Sequence, residues 1–117
     1  MNKEREGIFA EGDPLMIRVI AKIEVAPGHR DEFLAAFREI VPKVLEEEGC
    51  LEYGPMVHVP TSIPAQEPPR ENVVTVVEKW ESIEALEAHL MAPHMIEYRK
   101  VVKPLVVHSS LEILTPA

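Results

Sequence analysis

Apolar and polar residues alternate from Ile17 to Val25, with Ile17, Val19, Ala21, Ile23 and Val25 against Arg18, Lys22 and Glu24. This period of two predicts a strand with one buried face. Ala26-Pro27-Gly28 ends it, and from His29 to Glu48 the period becomes helical. Phe33, Leu34, Phe37, Ile40, Val41, Val44 and Leu45 fall on one stripe, with Arg30, Asp31, Arg38, Glu39 and Glu46 mostly opposite. Pro42 is expected to kink or break this helix near its fourth turn, and Gly49 to stop it. A second strand is predicted over Cys50–Val59, where Gly54-Pro55 marks an edge strand or a bulge. Prolines 60, 64, 68 and 69 make residues 60–72 a loop, long for a hairpin and of the kind used as a lid, a partner contact or a tolerated insertion.

Val73 to Trp80 reads as a third strand, apolar on both faces through Val73, Val74, Val76 and Val77. Ser82 is placed to cap a helix, with Glu84 favourable in its first turn. Ile83, Leu86 and Leu90 mark the stripe expected to be buried. Pro93 opens a further helical segment and Pro104 closes it, and a short last strand covers Leu111–Leu114. The order is β-α-β-β-α-β. It predicts an α+β, ferredoxin-like fold: a four-stranded antiparallel sheet with its helices on one face. The other face would be bare, although the third strand is apolar on both sides. A second subunit can cover it, so a homodimer with packed sheets is expected.

The 117-residue chain has the length of a single domain, here residues 16–115 after a tail, 1–15, with no sustained period. Its net charge of −8 disfavours nucleic acid and anionic membrane surfaces as partners, because both demand a basic patch. The opening residues lack the apolar core of a secretory signal, and no run approaches a membrane span. With Cys50 alone, no internal disulfide and no cysteine metal site can form. A cytoplasmic location is the simplest expectation.

Candidate chemistry collects around Glu78-Lys79-Trp80, Ser82 and His89. Glu78 continues the row Val74, Val76, Trp80, where burial would raise its pKa and make it a proton acceptor near neutrality. It could equally be a paired carboxylate at the wet end of the strand. Trp80, the one tryptophan, suits core packing or a pocket wall that stacks on a planar ligand. His89 lies at the flank of the buried stripe, where a histidine can face a cleft or serve structure alone. His94 and His58 are weaker candidates, and His29 and His108 read as surface or junction residues. Met91, Met95 and Tyr98 could line an apolar pocket or simply fill the core. Tyr53, on the strand face of Leu51 and Val57, reads as packing. His89 and His94 are five residues apart and do not share a helical face, and no HExxH pattern occurs, so no metal site is expected. No GxGxxG, P-loop or GxSxG sequence is present, so nucleotide cofactors and a serine elbow have no support.

Gly49-Cys50-Leu51-Glu52-Tyr53 after an amphipathic helix, a valine-rich strand ending Glu78-Lys79-Trp80, then Ser82, Ala85-Leu86, His89 and Pro93-His94 resemble the antibiotic biosynthesis monooxygenase family over residues 16–115. The resemblance implies a dimeric α+β barrel with a pocket between sheet and helices in each subunit. Some members oxidise phenols or dihydroquinones with molecular oxygen and no cofactor; others degrade haem or act on small signalling metabolites. The Asn, Trp and His of the haem-degrading branch align with Lys22, His89 and Arg99, so that triad is absent. The resemblance thus implies a cofactor-free monooxygenase of a small aromatic substrate. His89 or Glu78 would be the base, Trp80 the pocket wall and His94 a donor to the developing oxyanion, with Met91 and Tyr53 near the substrate. An isomerase or degrader of a small polar metabolite, and a dimeric ligand-binding module without chemistry, are the rival readings.

Overall fold

The computed structural model describes residues 16–117, so the tail at 1–15 lies outside the described residues. Four strands are present: β1 (Ile17–Val25), β2 (Cys50–Met56), β3 (Val73–Trp80) and β4 (Val106–Leu114). The helices are α1 (Arg30–Leu45), α2 (Ile83–Leu90) and α3 (Pro93–Val102), with a 3-10 turn at Lys103–Leu105 leading into β4. All strand pairs are antiparallel, in the order β2-β3-β1-β4, which is the ferredoxin-like arrangement.

Facing residues in an antiparallel pair point to the same side of the sheet. Val19 faces Glu78 across β1–β3, and Tyr53 faces Glu78 across β2–β3. Tyr53, Glu78 and Val19 therefore form one row beneath the helices. Ile17, Val19, Ala21 and Val25 meet Val74, Val76 and Trp80 on that side, against Phe33, Phe37 and Val44 of α1. Fully burying such a phenylalanine or valine contributes roughly 1.5–3 kcal/mol. Arg18, Ile20, Lys22, Thr75, Val77 and Lys79 occupy the opposite face, which carries no helix.

Three boundaries differ from the pattern-based expectation. Helix α1 continues through Pro42 instead of breaking, and its stripe stops short of Leu45, which is exposed. Strand β4 starts five residues earlier than expected, at Val106, because pairing with β1 carries the polar stretch His108-Ser109-Ser110 along. Strand β2 ends at Met56; Pro55 is tolerated since β2 is an edge strand, and the register shifts between Cys50 and Glu52. That shift also separates Leu51, which is exposed, from buried Tyr53.

Candidate active site

Ser82 caps α2 as expected: its hydroxyl accepts from the Ala85 amide at 3.1 Å. The helix does not bury the stripe Ile83, Leu86, Leu90, however. Ile83 and Leu90 stay partly exposed, while Leu86 and His89 are the buried pair. His89 thus stands at the centre of the interface, 2% exposed, and not at its flank. Its ring lies over Trp80 with centroids 4.7 Å apart and meets Tyr53 edge-on at 5.3 Å.

A buried imidazole needs a polar partner, and Glu47 provides it from just beyond the end of α1. His89 Nδ1–H donates to both Glu47 carboxylate oxygens at 3.1 Å, and His94 Nε2–H donates to Oε2 at 2.5 Å. Because a carboxylate accepts at Nδ1, the lone pair of His89 resides on Nε2, which makes no hydrogen bond within the described residues. Burial lowers the His89 pKa, and the bond to Glu47 only partly offsets that, so the ring is neutral at pH 7.

Gly49 makes this contact possible. It adopts φ +83°, and a Cβ there would stand 2.6 Å from the Ala85 Cβ. Its carbonyl accepts from the Glu81 amide at 2.9 Å, which pins the turn after α1 to the start of α2. Glu47 and His89, distant in sequence, meet as a result.

Glu78 is the second titratable group, 6% exposed, with Oε1 accepting from Trp80 Nε1–H at 2.9 Å. Burial is the main force raising its pKa to about 7; the Trp80 bond opposes this and the Glu47 charge adds to it. The carboxyl is therefore poised to exchange a proton near neutrality. Burial, with a smaller contribution from Glu78, pushes the Tyr53 phenol far upward, so it stays protonated.

Glu78, His89 and Tyr53 all line one cavity of about 700 Å³ between the sheet and the helices. Phe33, Phe37 and Tyr98 form its aromatic wall, with Phe37 stacked on Tyr53 at 5.4 Å and edge-on to Tyr98 at 5.9 Å. Its exposed lining residues, among them Arg99, Lys103 and Leu111, mark a mouth between α3 and β4. Residues 16–101 match the antibiotic biosynthesis monooxygenase family. A relative from Escherichia coli K12, named probable quinol monooxygenase YgiN, is 45% identical over 103 residues, 86% of this chain and 98% of its own.

The chain belongs to the antibiotic biosynthesis monooxygenase family.

Among solved structures, a conserved protein from Methanosarcina mazei superposes with a TM-score of 0.75 at 26% identity, covering 89% of this chain and 95% of the other. Protein SO0527 from Shewanella oneidensis, at 24% identity, shares the fold with a TM-score of 0.73 over 89% and 93% of the two chains.

Within this member of the family, the candidates separate by position. Glu78, His89 and Tyr53 reach the cavity. Trp80 does not: it is wholly buried and stands outside the cavity lining, where it backs Glu78 and His89. His94 also lies off the cavity, since its ring is turned to Glu47. Met91 ends α2 at 71% exposure and is not part of this cavity's lining, whereas Met95, one turn further, is. His58 sits in the 57–72 loop and accepts from the Arg70 amide, and His29 pairs with Glu32. Glu47 was not visible as a site residue. It is the middle of Glu46-Glu47-Glu48, a run that reads as solvated charge, and only the Gly49 turn singles it out. Among the described residues, no group of three or more His, Cys, Asp or Glu is placed to hold a metal ion, and no helix is long and apolar enough to cross a membrane.

Proposed function

We propose that this protein is a cofactor-independent monooxygenase that oxidises a small dihydroquinone, or a related phenol, with molecular oxygen. The observation that carries this reading is the convergence of two acid–base groups, Glu78 and neutral His89, on one aromatic-walled cavity. The printed name of the Escherichia coli relative supports a quinol as the substrate class.

The chemistry asks for little more than a base and a dry pocket. His89 Nε2 takes a phenolic proton, and the resulting anion is electron-rich enough to pass an electron to oxygen. The apolar wall of Phe33, Phe37 and Tyr98 holds the two reactants together and excludes water. Glu78, in its protonated form, returns a proton to the reduced oxygen, with Trp80 fixing its Oε1. Overall, dihydroquinone plus oxygen gives hydroxyquinone plus water. Two electrons come from the quinol becoming a quinone and two from the ring carbon that gains oxygen, so no external reductant is consumed. The working unit in this reading is a homodimer, with the open face of the sheet, bearing Ile20 and Val77, covered by a second copy.

Oxygen uptake tests the reading. Metal-free protein given a panel of dihydroquinones should consume oxygen well above the spontaneous rate and form hydroxylated quinone, and should form none anaerobically. Uptake equal to the no-enzyme background across the panel would leave an isomerase or a binding module as the better account.

A further inference from the structure

The cavity is polar at both ends and apolar between them. Glu78, His89 and Tyr53 occupy the inner end, and the aromatic wall follows. Toward the mouth, the lining residues with a permanent charge are Arg99 and Lys103, and both charges are positive. The chain as a whole carries −8, so a mouth of this sign runs against its surroundings.

Backbone geometry sets the two ends apart. Ser109 of β4 lines the mouth and pairs with Ile23, four residues along β1 from Val19, which faces Glu78. At the rise of a strand that is about 13 Å. On the helix side, Lys103 follows α3, nine residues and roughly 13 Å beyond His94, which shares Glu47 with His89. Arg99 lies one turn before Lys103, so the two share a helical face. Its guanidinium is held in place by donating to the Leu90 carbonyl at 2.6 Å, and its other N–H groups make no hydrogen bond among the described residues.

The negative end of a helix favours basic residues whatever they face. Lys100 meets that need on the outer side of α3, paired with Glu97 at 3.2 Å. Arg99 and Lys103 have no ion-pair partner among the described residues. Two like charges on one face repel each other, and an anion between them removes that cost.

We propose that the substrate is a dihydroquinone with an anionic arm, a carboxylate, which Arg99 and Lys103 bind at the mouth while the ring lies against His89 and Glu78. The inference rests on the monooxygenase reading for the ring and adds the arm to it. A carboxylate can take two parallel N–H bonds from the Arg99 guanidinium, and Lys103 adds a point charge. Ser109 offers a hydroxyl donor from β4. Anchoring the arm fixes which end of the substrate enters first, so that a phenolic hydroxyl meets His89 Nε2.

Anaerobic calorimetry tests the arm without turnover. The probes are hydroquinone bearing a propanoate arm and the corresponding propanamide, which share the ring and differ in charge. Wild-type protein should bind the acid about tenfold more tightly than the amide, the scale of one hydrogen-bonded charge. Arg99→Gln combined with Lys103→Gln should bring the two affinities together. Lys100→Gln removes the same charge from the outer side of α3 and should keep the difference. Equal affinities in the wild type, or no measurable heat from either probe, overturn the proposal. A preference that survives the double substitution, or that vanishes in Lys100→Gln, overturns it too. If the double variant fails to fold, Lys103→Gln alone, at an exposed position, should lower the ratio by about threefold, and an unchanged ratio overturns the proposal. With oxygen present, the KM of the acid should rise by about tenfold in the double variant while kcat is retained. A fall in kcat at unchanged KM would overturn the anchoring role. Lack of oxygen-dependent turnover in the wild type would instead overturn the monooxygenase reading, and calorimetry would still decide the arm.

Discussion

Over the first half of the chain, from Ile17 to Met56, the sheet is covered by one long helix whose buried residues are all apolar: Phe33, Leu34, Phe37, Ile40 and Val44. The second half uses two short helices and places His89 among Leu86, Met95, Tyr98 and Val102. An apolar stripe has only shape to satisfy, so α1 can be long and uninterrupted. A stripe containing an imidazole must also supply a hydrogen-bond partner, and the second half has none of its own at Nδ1. The partner, Glu47, comes from the first half, carried past the end of α1 by the turn at Gly49. The halves are therefore not interchangeable: the first packs, lines part of the cavity and lends one carboxylate, and the second carries the buried imidazole and Glu78. This division predicts that emptying the apolar stripe of α1 acts first on stability, and that replacing His89 of α2 acts first on turnover.

Phe37→Ala is the largest break on the packing side. The ring is 1% exposed and contacts Phe33, Tyr53 and Tyr98. Its removal should lower unfolding free energy by about 3–5 kcal/mol, read as a shift in urea midpoint. A loss under about 1 kcal/mol would show that this part of the core collapses to fill the space, against the close packing drawn here.

On the chemical side, His89→Gln should leave a folded protein and cut kcat for dihydroquinone oxidation by about 10²–10⁴-fold, the usual contribution of a positioned base. Circular dichroism and a thermal midpoint establish the folded state first. An unchanged rate would remove His89 from the mechanism and leave Glu78 as the base.

How far these roles could be read in advance depended on whether they are local. Strand β3 and the Ser82 cap were legible to the residue, because alternation and capping are properties of adjacent positions. The ferredoxin-like order followed from the succession of periods. Only the end of β4 is legible, because His108-Ser109-Ser110 has no apolar alternation and its pairing with β1 is a tertiary fact. The pattern makes His89 a candidate but places it at the flank, since Ile83, Leu86 and Leu90 form the natural stripe. Which face of an eight-residue helix turns inward is decided by what it meets, here Trp80 and Tyr53. Glu47 was illegible for the same reason. Nothing near it in sequence distinguishes it from Glu46 and Glu48, and its role exists only where a chain segment 42 residues away approaches.

Glu78→Gln sharpens the contrast through pH. Burial raises the Glu78 pKa from an ordinary 4.5 to about 7, so the folded state holds its proton where the unfolded chain has lost it. Its contribution to stability is fully present below about 4.5 and is lost as pH rises to about 7. A displacement of that size corresponds to on the order of 3 kcal/mol. His89 has the opposite sign: its pKa is lowered, so its contribution is present above 6.5 and lost as pH falls. The difference between variant and wild type isolates Glu78. Glutamine keeps an acceptor for Trp80 and never ionises, so the variant should gain stability relative to wild type between pH 4.5 and 7 and hold that gain above. Parallel pH–stability curves would mean that Glu78 is solvated more than its burial indicates.

The smallest break concerns how each helix begins. Helix α1 starts at His29 with no side-chain cap, whereas α2 starts at Ser82, whose hydroxyl accepts from the Ala85 amide. A sixteen-residue helix packed along its length can tolerate a frayed first turn; an eight-residue helix has little else to hold its register. Ser82→Ala should therefore lower stability by about 1 kcal/mol, and His29→Ala by clearly less. Because α2 carries His89 in its last turn, the Ser82 loss should also appear locally, as faster amide exchange through α2 at denaturant concentrations too low to unfold the sheet. Equal effects of the two substitutions would show that the cap does not distinguish the helices, and the precision of the His89–Glu47 contact would then have to come from the Gly49 turn alone.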